Sequence, residues 1–292
     1  MISLQAYAKI NLTLEVLSKR PDGYHEIASV LQAISLADTL TFEPAETLDF
    51  QCDVKELQTP DNLVLKAAKL LKEISEYKKG ARIDLTKRIP LAAGLGSGST
   101  DAAATLMGLN KLWGLKLAHG KLAELAAKLG SDVPFFLYGG TALAQGRGEK
   151  LTALPAATEL WMVLLKSAIE PVANKTAQLY SRLNPSHFTS GQHTERLVAH
   201  LKHGGNIEPS FLFNVFEQVA FDFFPALSDY RSRMIKAGAR EVHLAGSGPT
   251  LFALVPDRSR GEAVLKNLTA EGLEAYLVHT MQTAKCKLQS AK

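Results

Sequence analysis

Residues 90–104 read PLAAGLGSGSTDAAA and lie between the strand-like ARIDLTKRI, residues 81–89, and the helix-favouring TDAAATLMGLNKLWG. A strand that runs through alternate glycines straight into a helix start has few paths open to it. Gly94, Gly96 and Gly98 lack a Cβ, so the loop can take positive φ and turn successive backbone N–H groups toward one point. A helix beginning near Ser99 adds unpaired N–H groups and the positive end of its dipole, where a phosphate is well placed. Ser97, Ser99 and Thr100 bring hydroxyls to the same place. These residues predict a phosphate cradle running through Pro90, Leu91, Ala92, Ala93, Gly94, Leu95, Gly96, Ser97, Gly98, Ser99 and Thr100. A glycine-rich turn with a Ser or Thr cap, binding nothing, has the same composition. No Gly-Lys-Ser/Thr closes the loop as in a P-loop, and its GxGxG lacks the spacing and first-strand position of a dinucleotide fingerprint.

A chain of 292 residues has room for one large or two ordinary domains and a substantial core. The hydrophobic share of 46% and charged share of 21% suit a soluble globular protein. No apolar run approaches the roughly 20 residues of a membrane span, and no signal segment opens the chain, so either a cytoplasmic protein with no membrane partner is expected or a targeting segment is already gone. The two cysteines, Cys52 and Cys286, are far apart, which argues against a disulfide framework. The net charge of +4 suits a phosphate-bearing ligand, while its scatter argues against nucleic acid as a partner.

Along residues 2–16 the even positions are apolar and the odd ones mostly polar, the alternation of a strand with one face on a core. Lys9, Asn11, Thr13 and Glu15 share the other face, which either addresses a ligand or meets solvent. Pro21, Asp22 and Gly23 form a turn that places Tyr24 and His25 at the start of a returning strand, YHEIASVLQAIS. Further strands are expected at 38–43 and 47–54. Pro60, Asp61 and Asn62 then open a helix in LVLKAAKLLKEISEYKK, which Gly80 stops, and HGKLAELAAKLG forms another that ends at Gly130. Asp132 follows beside Val133, Phe135 and Phe136, where a carboxylate needs water or a partner: it caps the next turn or it is catalytic. A strand is expected at 141–144. Pro155 interrupts the pattern, giving domains at 1–155 and 156–292. In the second, ELWMVLLK reads as a buried strand and NKTAQLYSRL as a helix with Thr176 and Tyr180 on one face. NPSHFTSGQHT reads as a mobile loop, and helices are expected at 192–203, 210–222 and 225–237. REVHLAGSGPTLFALVPD reads strand, glycine turn, strand. A helix in SRGEAVLKNLTAEG and a strand, LEAYLVH, follow; that strand either stays with the second domain or returns to the first. The closing MQTAKCKLQSAK is expected to fray.

Three of these stretches resemble the motifs of the GHMP kinases, small-molecule kinases that hold ATP in a glycine-rich loop unrelated to the P-loop. AKINLTLEV, residues 8–16, resembles the first motif, residues 90–104 the second, and LAGSGPTLFAL, residues 244–254, the third. KRPDGYHEI, residues 19–27, resembles a segment peculiar to one branch, whose members phosphorylate the 2-hydroxyl of a cytidine diphosphate ester of methylerythritol in the non-mevalonate isoprenoid route.

The resemblance implies an α+β, two-domain fold, an N-terminal ATP-binding α/β domain and a C-terminal α+β domain around a central cleft, in a monomer or homodimer. It makes Lys9 and Asp132 catalytic, with Asp132 taking the substrate hydroxyl's proton. Gly246, Ser247 and Gly248 become a second close approach to ATP, and Asn62 a contact on its adenine side. Tyr24 and Tyr180 would flank cytosine, His25 would read its edge, and Asn11 and Thr176 would touch the substrate. Mg²⁺ would be held mainly through the ATP phosphates. Asp101, at the same helix start, competes with phosphate for N–H donors unless Mg²⁺ intervenes, and is kept only as a metal contact. Two departures stand out: Ser97 replaces a common glycine and narrows the φ range there, and Thr100 replaces the usual serine but keeps the hydroxyl. Arg147 adds a cation with no assigned purpose. A kinase of the same family acting on homoserine or mevalonate is the rival reading, as are a nucleotide-sensing binder and an RNA-binding domain. Tyr24 and His25, a base reader, weigh against the first, Lys9 and Asp132 together against the second, and dispersed charge against the third.

Overall fold

The computed structural model describes residues 1–282 and 288–289. Its spine is a long hairpin, β1 (Ile2–Lys19) and β2 (His25–Ala45), turned at Pro21, Asp22 and Gly23. The turn closes as expected of those residues: Gly23 takes φ +84° and the Tyr24 N–H donates to Asp22 Oδ1 at 3.1 Å. The strand expected separately at 38–43 is the continuation of β2, since no breaker interrupts it.

Neither face of β1 is solvated. Lys9, Asn11, Thr13 and Glu15 are buried like the apolar positions between them. Register shifts at Tyr7/Ala8, Asn11/Thr13 and Val16/Ser18 re-aim the alternating side chains, as bulges do. Leu4 and Ala6 therefore enter one core, Ala8, Ile10 and Leu12 a second, and Leu14 and Val16 a third. One strand thus serves both halves of the molecule.

The first sheet grows outward from this hairpin. β3 (Leu48–Cys52) lies parallel to β4 (Gly80–Thr86), and β4 is antiparallel to the far end of β2. β5 (Thr141–Gly146) pairs with residues 27–32 of β2 and with β6 (Lys150–Ala153). Helices α1 (Leu63–Ser75), α2 (Ser97–Leu112), α3 (His119–Leu129) and α4 (Val133–Tyr138) bring Val64, Leu71, Leu106 and Phe135 against Phe42 and Ile83 in the first core. α1 is shorter than its pattern suggests: Glu76 takes the left-handed conformation, φ 52°, and ends it. Gly80 opens β4 instead of stopping a helix. Its lack of a side chain serves packing, since a Cβ there would lie 2.0 Å from the Thr47 carbonyl carbon.

The second sheet runs β11 (Ala275–His279), β7 (Trp161–Leu165), β10 (Leu251–Val255), β9 (His243–Leu244), all antiparallel. It packs with α7 (Glu217–Phe223), α8 (Leu227–Ala237) and α9 (Arg258–Ala270); α5 (Lys175–Arg182) packs on α7 in the same core, and α6 (Gln192–Lys202) lies against the hairpin. The strand LEAYLVH stays in this sheet as β11, and its end meets β2 of the first through a His279 N–H bond to Ser35 Oγ at 3.0 Å and, just beyond it, an Ile34–Thr280 bridge. β12 (Leu288–Gln289) pairs with Ser3 and Leu4 of β1. The rest of the closing segment, with Cys286, lies outside the described residues.

Two more expectations fail. No single helix covers 210–222: β8 (Phe213–Asn214) pairs in parallel with Thr13 and Leu14, and the helix begins only at Glu217. The expected loop at 184–194 is fastened, with a short 3₁₀ turn at Pro185–His187 and a Thr189 N–H bond to Val16 O at 3.0 Å. Among the described residues no helix is long and apolar enough to cross a membrane.

Candidate active site

The glycine loop is built by the turn from β4 into α2. Ala92, Gly94 and Gly96 take φ of +52°, +82° and +76°, and α2 begins at Ser97, two residues earlier than expected. Gly98 is therefore inside the helix and supplies no positive φ, and Ser97, at the first helical position, needs none. Lys9 N–H donates to Leu95 O at 3.0 Å and ties the loop to β1. Ala92, Ala93, Gly94, Gly96, Ser97, Gly98 and Ser99 line a cleft of about 1290 Å³. Pro90, Leu95 and Thr100 are buried and Leu91 is exposed; these four are not part of the lining.

The loop at 246–248 meets the first loop backbone to backbone. A Cβ on Gly94 would lie 2.0 Å from Ala245 O, and one on Gly246 would lie 2.8 Å from Gly94 O and 3.3 Å from Lys9 Nζ. A Cβ on Gly96 would strike Phe136 at 2.5 Å. Asn214 holds the second loop from below, donating through Nδ2 to Leu244 O and Gly246 O at 2.8 Å each.

Lys9 and Asp132 converge at this junction, Nζ to Oδ2 3.5 Å. Lys9 is buried; Asp132 is 43% exposed and turns to Lys9 rather than capping α4. Lys9 also donates to Asn11 Oδ1 at 2.8 Å, Asn11 Nδ2 to Ser29 Oγ at 2.8 Å, and Ser29 Oγ to Thr13 O at 2.5 Å. This chain fixes which way the Asn11 amide points, and hence the ammonium that leans on it. Thr176 Oγ1 lies 2.9 Å from Ser247 Oγ, joining α5 to the second glycine loop.

At the other end of the cleft the lining turns aromatic. His25 stacks on Tyr180, centroids 4.8 Å apart and planes at 14°, with Phe188 at its edge. The Arg147 guanidinium lies 4.7 Å above the Tyr24 ring. Tyr24 and Tyr180 thus each carry a partner on one face, and they do not form the open pair that the sequence suggests. Burial, then Lys19, hold His25 below its ordinary pKa; burial, then the Asp132 carboxylate, push the Tyr180 hydroxyl up.

Asn62 is not brought to the cleft. Its Oδ1 accepts from Val64 N at 2.8 Å and its Nδ2 donates to Leu57 O at 2.9 Å, a cap for α1, and Leu63 lines the cleft instead. Asp101 also faces away, beneath the loop, where Lys87 gives one N–H each to Asp38, Ser97 Oγ (2.6 Å) and Asp101 Oδ2 (2.7 Å). Burial drives Asp101 up, to about 7, against the pull of Lys87. Burial lowers Lys87 in turn, but Asp101 and Asp38 outweigh it and hold the ammonium above the usual lysine range. Lys87, Asp38 and Lys175 are site residues that no motif in the sequence marks. Lys175 had a signal, its place beside Thr176; Lys87 and Asp38, 49 residues apart, had none.

The family model of the GHMP kinases N terminal domain matches residues 62–140, and that of the GHMP kinases C terminal matches residues 201–274. The chain is 47% identical over 281 residues to the 4-diphosphocytidyl-2-C-methyl-D-erythritol kinase of Dehalococcoides mccartyi, covering 96% of this chain and 99% of that one. A crystal structure of 4-(cytidine 5'-diphospho)-2C-methyl-D-erythritol kinase matches with a TM-score of 0.81 at 34% identity, over 95% of this chain and 98% of that chain. A homoserine kinase from Cytophaga hutchinsonii, at 20% identity and a TM-score of 0.74 over 98% and 97% of the two chains, shares the fold.

Proposed function

The chain belongs to the GHMP kinases and, among them, to the 4-diphosphocytidyl-2-C-methyl-D-erythritol kinases, and we propose that it phosphorylates the 2-hydroxyl of that cytidine diphosphate ester at the expense of ATP. The observation that carries the chemistry is the 3.5 Å approach of Lys9 and Asp132 at the junction of two glycine loops. Phosphoryl transfer asks a protein for position, neutralised charge and a place for one proton. The cradle suits a triphosphate: the missing side chains at Gly94 and Gly246 let the two loops close on each other, and the one missing at Gly246 also leaves room for the Lys9 ammonium beside them. N–H groups from residue 93 into the first turn of α2 would hold the phosphates, and Asp132 would orient the substrate hydroxyl and take its proton. Lys9, aimed by Asn11, would offset charge on the transferring group.

Among the described residues no group of three or more His, Cys, Asp or Glu side chains could hold a metal. Mg²⁺ would be bound mainly by ATP phosphate oxygens, with the Ser99 hydroxyl in the same cleft, and would supply charge neutralisation there. The cytosine would enter the aromatic end, where a neutral His25 offers one donor and one acceptor to its edge. Thr176 and Asn11 would meet the part of the substrate between base and phosphoryl group. The protein would act as a cytoplasmic monomer or homodimer.

The test is ATP consumption measured with the cytidylylated methylerythritol beside homoserine and mevalonate. Turnover confined to the cytidine compound is expected. Equal turnover of all three would refute a base-reading site.

A further inference from the structure

Lys175 has no role in the mechanism above, yet it sits where the two glycine loops meet. Its Nζ donates to Ala92 O at 2.8 Å and to Gly248 O, one carbonyl from each loop. Both acceptors are neutral, and among the described residues no carboxylate pairs with this ammonium; the charge nearest in effect is another cation, Lys9. Burial, then Lys9, bring Lys175 down to about 8. A lysine has three N–H donors, and two are used here. A half-buried cation beside a second cation, held only by carbonyls, costs free energy unless an anion arrives.

We propose that Lys175 is a second phosphate-binding cation of this cleft, which gives its remaining N–H to an anionic phosphoryl oxygen seated where the two glycine loops touch. The proposal rests on the kinase reading only for the identity of the phosphate-bearing ligand, either the ATP chain or the diphosphate of the cytidine substrate. With Lys9 reaching the junction from β1 and Lys175 from α5, two ammonium groups would face a transferring phosphoryl group from different elements. The backbone contacts of Lys175 hold it ready, so little side-chain freedom remains to be lost on binding.

The experiment uses Lys175→Met and Lys175→Arg in the full chain. Calorimetric titrations with a non-hydrolysable ATP analogue plus Mg²⁺ and, separately, with CDP are read beside the melting temperature of the ligand-free protein. The methionine variant is expected to lose at least tenfold in affinity for one of the two ligands, and the arm that loses identifies the source of the phosphate. Its melting temperature should equal or exceed that of the unsubstituted protein, since a half-buried cation without a counter-charge has gone. The arginine variant should stay within threefold in affinity. A strut that merely joins the loops would behave oppositely, with a lower melting temperature. Affinity changes under threefold on both ligands would overturn the proposal, as would a loss that comes with lower stability and that arginine fails to restore. Failure of the unsubstituted protein to turn over the cytidine compound would refute the substrate reading and leave both binding arms valid.

Discussion

Gly94→Ala is the most demanding test of how the two loops are joined. At φ +82° an alanine incurs the left-handed penalty, about 1–2 kcal/mol. Its Cβ would begin 2.0 Å from Ala245 O, and ordinary contact starts at 3.4 Å, so the loops must part by about 1.4 Å. Overpacking of that kind costs about 1–3 kcal/mol, and the two effects together come to about 2–5 kcal/mol. Taking about 3 kcal/mol, and an unfolding entropy of about 2.1 cal/mol/K per residue over 292 residues, the melting temperature should fall by about 5 °C. The same displacement takes N–H donors out of hydrogen-bond range of a bound phosphate. Losing one or two bonds to a charged group, at about 1.5–3 kcal/mol each, should weaken the binding of a non-hydrolysable ATP analogue at least tenfold. Affinity for cytidine, which carries the base without the diphosphate, should change less than threefold, because Tyr24, His25 and Tyr180 gather at the other end of the cleft. Calorimetry with the two ligands and a thermal melt read all three numbers. A variant that keeps both its melting temperature and its nucleotide affinity would refute the close approach of the loops.

Two further outcomes follow from buried charge. Lys87→Met leaves the carboxylates of Asp38 and Asp101 without their cation and should cost about 3–5 kcal/mol in urea denaturation; a loss below about 1 kcal/mol would contradict the ion-pair network under the loop. His25 has its folded pKa below the ordinary 6.5, so its contribution to stability is complete above that value and is lost as pH falls through the folded one. CDP affinity should track the same curve, level from about pH 6.5 to 8 and falling in acid, and His25→Gln should flatten it; an unchanged slope in the variant would assign the acid limb to another group.

The parts of the site that could be read in the sequence are those carried by local rules. The glycines at 94 and 96, the Pro-Asp-Gly turn and the strand that bears Lys9 and Asn11 are set by φ, by turn chemistry and by alternation, and they stand where those rules put them. What could not be read depends on partners distant in sequence. Asn214 looks like a residue of an amphipathic helix, but pairing with β1 and two carbonyls near residue 245 claim it, and tertiary contacts override local propensity. Lys175 gains its meaning from carbonyls 83 and 73 residues away, and Asn62 loses its expected place because capping α1 uses both ends of its amide. The polar face of β1 was legible as a pattern, yet only the bulges show that it lies indoors.

The central claim is that Asp132 receives the proton of the acceptor hydroxyl while Lys9 steadies the phosphoryl group. Rapid-quench measurement of a single turnover by Asp132→Asn, with ATP and the cytidine substrate both bound, tests it directly. The chemical step should slow at least a hundredfold, the usual scale of a lost general base being about 10²–10⁴, while calorimetry finds both ligands bound within threefold of normal. A single-turnover rate within threefold of the unsubstituted enzyme would place the base elsewhere and remove the account's foundation.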